Sequence, residues 1–343
     1  MADNGGMPEL ETGWRPDTPI GDTYLRRYLL NWAGMCAATA RSLGGRSEDR
    51  STVRLADSGR PAAFCNCATL LQPLTAETAA AVLDEIATFF AFNDPARRGE
   101  VLLASAWPTG DLRPHGWSLM GHPPLHLLAA GAAPPPAPAE LRIDEVRDRD
   151  ALHAWERAAI AGYPFEALAE APPGALVAAN WLEEPRSRLW VGHVDGHPVC
   201  ASSVWVEHGV NDVTLVATVP DARRRGYGEA LTWCAALAEP SLPAMLLSSD
   251  DGRPVYERMG FLPLQRMTLW YRTRPEVGRD GVTGCQGDGV MGIIGDLLGE
   301  SRRILGSPGD AGIAPTVAIA VIRPTSNFRL PTSDSSKAGL AST

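Results

Sequence analysis

An apolar run that reads as a strand, Val213 to Val219, passes through Pro220-Asp221-Ala222-Arg223-Arg224-Arg225-Gly226-Tyr227-Gly228 into an amphipathic stretch that reads as a helix, Glu229 to Ala238. This strand–turn–helix order narrows the fold more than any other feature of the chain. It presents free backbone N–H groups at the positive end of a helix, an arrangement suited to phosphate or pyrophosphate. Gly226 and Gly228 allow close approach of an anion, because no Cβ intervenes and positive φ is available. The arginines add charge that does not titrate away, in a fork that fits phosphate oxygens. A Walker loop is excluded, since no Gly-Lys-Ser/Thr follows. A dinucleotide fingerprint is excluded because its third glycine falls on Leu231. Read alone, the turn is equally a solvated basic loop before an ordinary helix.

A second element follows. Leu246-Leu247-Ser248-Ser249 reads as a strand end, and Asp250-Asp251-Gly252-Arg253-Pro254-Val255-Tyr256-Glu257-Arg258-Met259-Gly260-Phe261 as a turn and short helix. Together, Arg223-x-x-Gly226-x-Gly228 and Tyr256 through Phe261 resemble the acetyl-CoA-binding core of the GNAT superfamily of N-acyltransferases, in the family's order. The resemblance covers about residues 140–275.

That resemblance implies acetyl-CoA as cosubstrate; the cysteine spacing gives no expectation of a metal. Val216, Ala217 and Thr218 would offer backbone groups of a splayed strand to the pantetheine arm. Arg223, Arg224, Arg225, Gly226, Tyr227, Gly228 and Glu229 would hold the pyrophosphate. Ser249 stands where the family often has a cofactor-contacting Asn, so that contact departs from the pattern. Tyr256 occupies the position of a general acid for the leaving thiolate, work that suits a phenol of ordinary pKa near 10. Its alternative is a packing residue. Gly260-Phe261 reads as structural. For the general base, Glu207, His208 and Asp212 lie between two strand-like runs, with Glu207 preferred among them; each reads more readily as a hairpin-turn residue than as a base.

Bulk properties bound the rest. The chain has 343 residues, enough for two domains, with 45% apolar residues. A net charge of −9 argues against a nucleic-acid partner. Lys337 is the only lysine, so the basic residues are otherwise arginine. The six cysteines show no C-x-x-C pairing, and Cys65-x-Cys67 reads as one face of a strand. The N-terminus lacks a signal-peptide pattern, and no apolar run reaches the ~18 residues of a membrane span. The expectation is a reduced cytoplasmic protein, monomer or homodimer, with no membrane partner.

Along the chain, Ala132 to Ala139 reads as a Pro/Ala-rich linker. Residues 140–275 read as β-α-α-β-β-β-α-β-α-β: a GNAT-type α/β (α+β) domain with a mixed central sheet flanked by helices. Its strands are expected near Glu140–Val146, Ser187–Val194, Pro198–Val206, Asp212–Val219, Ala244–Ser249 and Leu264–Tyr271. Residues 8–131 read as a second, degenerate GNAT-like module or another small α/β unit. Its helices are Thr23–Leu43 and Ala76–Phe92, its strands Val53–Leu55, Ala62–Leu71, Val101–Trp107 and a last one over Trp117–Leu128, with Gly116-Trp117 echoing Gly260-Phe261. Asp111, Trp117 and His122 are candidates to line a cleft between the halves. The 276–343 segment is rich in Gly, Ser, Thr and Pro and reads as a dispensable tail, apart from a possible helix over Val290–Leu305 and strand over Thr316–Ile322.

Three functions fit. The first is transfer of acetyl from acetyl-CoA to a primary amine by direct attack in a ternary complex. The second is non-catalytic acyl-CoA binding or regulation. The third is the same transfer to a protein or peptide amine. A small acceptor predicts a closed pocket around Phe165, Trp181 and Trp205, a peptide an open groove.

Overall fold

Each of the two sheets borrows one strand from the other half of the chain. The computed structural model describes residues 23–61, 63–94, 99–163, 165 and 168–274. In chain order the elements are α1 (Tyr24–Ser42), β1 (Arg46–Asp49), β2 (Val53–Asp57), β3 (Asn66–Leu70), α2 (Ala79–Phe90), β4 (Glu100–Ser105), β5 (Ser118–Gly121) and β6 (Pro124–Leu128). Then come β7 (Arg142–Glu145), α3 (Arg149–Gly162), β8 (Ser187–Val194), β9 (His197–Glu207), β10 (Val210–Thr218), α4 (Tyr227–Ala236), β11 (Ala244–Leu247), α5 (Arg253–Arg258), β12 (Leu262–Arg266) and β13 (Thr268–Thr273). The first sheet runs β1-β2-β3-β4-β13-β5 and the second β12-β6-β11-β10-β9-β8-β7.

The two sheets repeat one plan. In each, an antiparallel meander leads into a single parallel pair joined through a crossover helix: β3–α2–β4 in the first and β10–α4–β11 in the second. The next position is filled by exchange, β13 entering beside β4 and β6 entering beside β11. The expected strands Trp117–Leu128 and Leu264–Tyr271 are each therefore two strands, and the members of each pair lie in different sheets. The cause is local. A hairpin needs at least a two-residue turn, and only Met267 separates β12 from β13. His122-Pro123 separates β5 from β6, and Pro123 has no N–H for a turn. Both strands run straight on into the neighbouring sheet, and the crossings meet where Met267 N–H donates to the Pro123 carbonyl at 2.9 Å.

The helices start where their caps dictate. The Thr23 hydroxyl accepts from the Arg26 N–H, and the Asp148 carboxylate from the Ala151 N–H, each worth about 1 kcal/mol. Helix α1 is the shared layer. Tyr28, Trp32, Cys36 and Ala40 share one core with Ala56, Cys67 and Leu102 of the first sheet and Val210, Met245 and Leu247 of the second. Its Asn31 amide donates to the Trp205 and Val210 carbonyls, both at 3.4 Å, fastening it to the β9–β10 hairpin. Helix α3 packs Leu152, Trp155 and Ala159 on one face of the second sheet, and α4 packs Ala230, Leu231 and Ala235 on the other. Burying each large side chain, such as Trp155 or Leu231, contributes about 1.5–3 kcal/mol.

Some smaller expectations change. Cys65 ends a 3-10 turn (Ala63–Cys65) and joins the α3 core, while Cys67 on β3 joins the α1 core, so the two thiols do not share a face. Trp117 is buried beside Phe92, Asp111 is exposed and paired with Arg113, and His122 is exposed. None of the three is among the residues lining the cavity described below. The Gly116–Gly260 echo holds in the backbone, with φ of +79° and +93°. The Val290–Leu305 helix and Thr316–Ile322 strand lie outside the described residues, as does part of Tyr163–Ala169, which the sequence offers as the second helix of the β-α-α-β order. Among the described residues no helix is long and apolar enough to cross a membrane.

Candidate functional site

Strands β10 and β11 separate into a fork. Their parallel pairing spans Asn211–Val213 against Ala244–Leu246 and stops, while β10 continues to Thr218. At the fork β10 bulges against β9: Thr214 pairs with Ser203 and Ala217 with Ala201, so the register shifts between them. Leu215 sits at the bulge with φ +48°, a left-handed conformation that costs a leucine of order 1–2 kcal/mol. Strain of this kind persists where the surroundings hold it, and it turns the end of β10 away from β11.

The sequence-proposed strand residues line this fork unequally. Val216 faces the opening and is buried. Ala217 lies under α3, where a Cβ on Gly162 would stand 2.8 Å from the Ala217 Cβ and 2.8 Å from the Thr218 nitrogen. Only glycine at position 162 lets α3 press this close. The Thr218 carbonyl accepts from Arg223 Nε at 3.1 Å.

The basic loop divides by role. Arg223 is half-buried and turned inward; besides Thr218 it donates to the Gly162 carbonyl at 3.2 Å, so it staples β10, α3 and the loop together. Burial pushes its pKa down from the ordinary range, without threatening its charge. Arg224 and Arg225 are exposed, and Arg224 (φ +63°) and Gly226 (φ +80°) are left-handed. Gly226 is the N-cap of α4 and no side chain caps the helix, so its first N–H groups face the loop. Tyr227 is buried and donates to Glu140 at 2.8 Å, which fixes it to the chain after the linker. A Cβ on Gly228 would stand 3.1 Å from the Thr218 hydroxyl. Glu229 is half-buried in the first helical turn.

Beyond the fork lies a cavity of about 100 Å³. The fork contributes Leu215, Val216, Leu246 and Leu247, and α5 contributes Tyr256. The body of the second sheet and its flanking segments contribute Trp155, Leu176, Val177, Trp181, Leu189 and Trp205, and the N-terminal half Tyr28, Trp32, Met35, Cys36 and Phe64. Trp181 and Trp205 are thus present as the small-acceptor reading expects, whereas Phe165 borders a second pocket behind α3. Glu156, 3% exposed, shapes the wall: its carboxylate accepts from the Gly174, Leu176 and Val177 N–H groups at 2.7, 2.7 and 3.3 Å.

Tyr256 stands on α5 with its ring against His126 and Phe261, at centroid distances of 6.3 and 5.8 Å. Burial pushes its phenol well up, and a hydrogen bond with Thr232 partly opposes this. His126 arrives on the exchanged strand β6, is fully buried and has its pKa lowered by burial. No sequence signal pointed to it, because its neighbours in space belong to the other half of the chain. The Ser249 hydroxyl accepts from the Gly252 N–H at 2.8 Å, starting the turn into α5. Glu207 holds Trp205 Nε1 (3.1 Å) and Arg186 (3.3 Å) at the hairpin end and is not among the cavity-lining residues.

No protein-family profile and no curated protein matches the chain. Among solved structures it is similar to a GCN5-related N-acetyltransferase from Kribbella flavida, at 22% identity and a TM-score of 0.51, over 71% of this chain and 95% of that one. The fold is that of the GNAT proteins. The overlap exceeds what one sheet supplies, so the GNAT likeness includes both modules. A functionally unknown conserved protein from Staphylococcus epidermidis is similar at 12% identity and a TM-score of 0.50, over 66% of this chain and 93% of that one.

Proposed function

We propose that the protein is an acyl-CoA-dependent N-acyltransferase that moves acetyl from acetyl-CoA to a small primary amine. The observation that carries this reading is the continuity of the site. An uncapped helix end with Arg224 and Arg225 lies beside the fork of β10 and β11, and the fork borders a cavity lined by Tyr256. An anionic pyrophosphate suits the first part, an extended amide-bearing arm the second and a thioester the third.

In this reading the loop and α4 bind the pyrophosphate and the backbone at Val216–Thr218 orients the arm. The amine nitrogen bonds to the thioester carbonyl carbon and the carbon–sulfur bond breaks. Tyr256 gives its hydroxyl proton to the departing thiolate, and the nitrogen loses a proton to solvent or to a base. The fork and cavity hold both reactants, which makes positioning the main source of rate. The small volume of the cavity, about 100 Å³, favours a small acceptor over a peptide.

Release of free thiol from acetyl-CoA across a panel of primary amines tests the proposal. Amine-dependent release with matching N-acetyl product is expected. Binding of acetyl-CoA with no turnover on any amine supports the non-catalytic reading instead.

A further inference from the structure

The N-terminal half repeats the sheet plan without the anion loop: between β3 and α2, residues 71–78 hold neither arginine nor glycine. What this half gives the site is a wall. Tyr28, Trp32, Met35, Cys36 and Thr39 all line the cavity, and their i, i+4, i+7, i+8, i+11 spacing puts them on one face of α1. Phe64 joins them from the turn before β3 and meets Phe165 edge-on at 5.7 Å. The helix is held close to the second sheet at Gly34, where a Cβ would stand 3.0 Å from Glu207 Oε2 and 3.6 Å from Trp205 Nε1. Met35 is the member of the stripe that reaches the fork. A methionine side chain adapts to whatever fills the space beside it, but here the Thr214 hydroxyl, at the β10 bulge, donates to Met35 Sδ at 3.7 Å and ties it to the strand.

We infer that the N-terminal half is the selectivity wall of the site: the α1 stripe, with Met35 at the fork, sets how long an apolar chain the cavity admits. The inference rests on the N-acyltransferase reading above for which reactant brings that chain. Two features set the ligand class. Among the described residues no charged side chain lines the cavity, and most of the lining is aromatic or aliphatic, so what it takes is apolar. A volume of about 100 Å³ is smaller than the ~150 Å³ that accommodates benzene, which limits the chain to about four carbons. A short apolar chain meets both conditions, whether it extends the acyl group or forms the body of the amine.

Benzene titrated into the full chain, followed by fluorescence of the lining tryptophans, tests the wall without turnover. The wild-type protein and Met35→Leu, which nearly conserves volume, are expected to show no saturable binding, and Met35→Ala to show it. Phe64→Leu, a milder widening of the same wall, takes its place where Met35→Ala is too unstable to purify. Two series of kcat/KM then identify the reactant: acetyl-CoA against butyryl-CoA with one amine, and ethylamine against butylamine with acetyl-CoA. In the series whose chain enters the cavity, widening should shift the preference toward the longer member by about fourfold per added carbon. Thr39→Leu, which fills the cavity from the same face of α1, should shift that series the opposite way. Benzene binding that the widening variants leave unchanged, or chain preferences that widening and filling leave unmoved in both series, would overturn the inference. Benzene binding confined to the widened variants, with no turnover of any pair, would reject the transferase reading and leave the wall standing.

Discussion

Arg274 and Asp57 form an ion pair at 2.9 Å with each side chain 1% exposed, joining the residue after β13 to the end of β2. The pair locks the exchanged strand into the first sheet. Removing one member strands a buried charge, at a cost of about 3–5 kcal/mol. Arg274→Ala should therefore lower the free energy of unfolding in urea by that order. Cutting the chain after Arg274 should be tolerated, and cutting after Arg266, which deletes β13, should prevent folding. A folded protein lacking β13 would contradict the strand exchange.

Gly162 sets how α3 meets the fork. Gly162→Ala brings a methyl into contact with Ala217 and the Thr218 backbone, and overpacking of this kind costs about 1–3 kcal/mol. Weaker acetyl-CoA binding should accompany the loss of stability, because the displaced strand is the one proposed to orient the arm. A variant that loses stability but keeps wild-type affinity would separate Gly162 from the site.

The three loop arginines should behave differently. Arg224→Ala and Arg225→Ala should each cost about 0.5–1.5 kcal/mol of acetyl-CoA affinity with little change in unfolding, and the effect should shrink in high salt. Arg223→Ala should instead lower stability, since it removes the donor to the Thr218 and Gly162 carbonyls. Equal affinity losses without destabilisation at all three would contradict the division.

How far the chain could be read in advance differs between its halves. The strand–turn–helix at the loop and the short helix ending at Gly260-Phe261 were legible because local rules fix them: glycine where the backbone turns left-handed, and a pattern contiguous in sequence. Helix α1 was legible from Thr23 to Leu43 for the same reason. The exchange of β6 and β13 was not, because periodicity marks a strand but not its partner; its only trace is the shortness of His122-Pro123 and the single residue Met267. Arg223 looked like a ligand for phosphate, and composition gives no hint that it folds back onto carbonyls 5 and 61 residues away. His126, Tyr28 and the cavity wall from α1 depend on the packing of one half against the other, so no window of sequence contains them.

Tyr256→Phe should lower kcat by about a hundredfold while leaving acetyl-CoA affinity unchanged. Burial raises this phenol above its ordinary 10, so it keeps its proton throughout the working range. Any alkaline limb of kcat below pH 10 should therefore persist in the Phe variant. Disappearance of that limb on substitution would show that Tyr256 titrates in the working range, contrary to its buried setting.

Isothermal titration of acetyl-CoA into the full chain, repeated with Gly228→Val, bears most directly on the site. A valine at 228 would press against the Thr218 hydroxyl, 3.1 Å from the new Cβ, at the point where the loop enters α4. Micromolar binding by the wild-type protein, with at least about a tenfold loss (1.4 kcal/mol) in a variant of unchanged melting temperature, is the predicted result. No heat from a folded wild-type protein, or equal affinity in the variant, would contradict the assignment of the loop and fork as an acyl-CoA site.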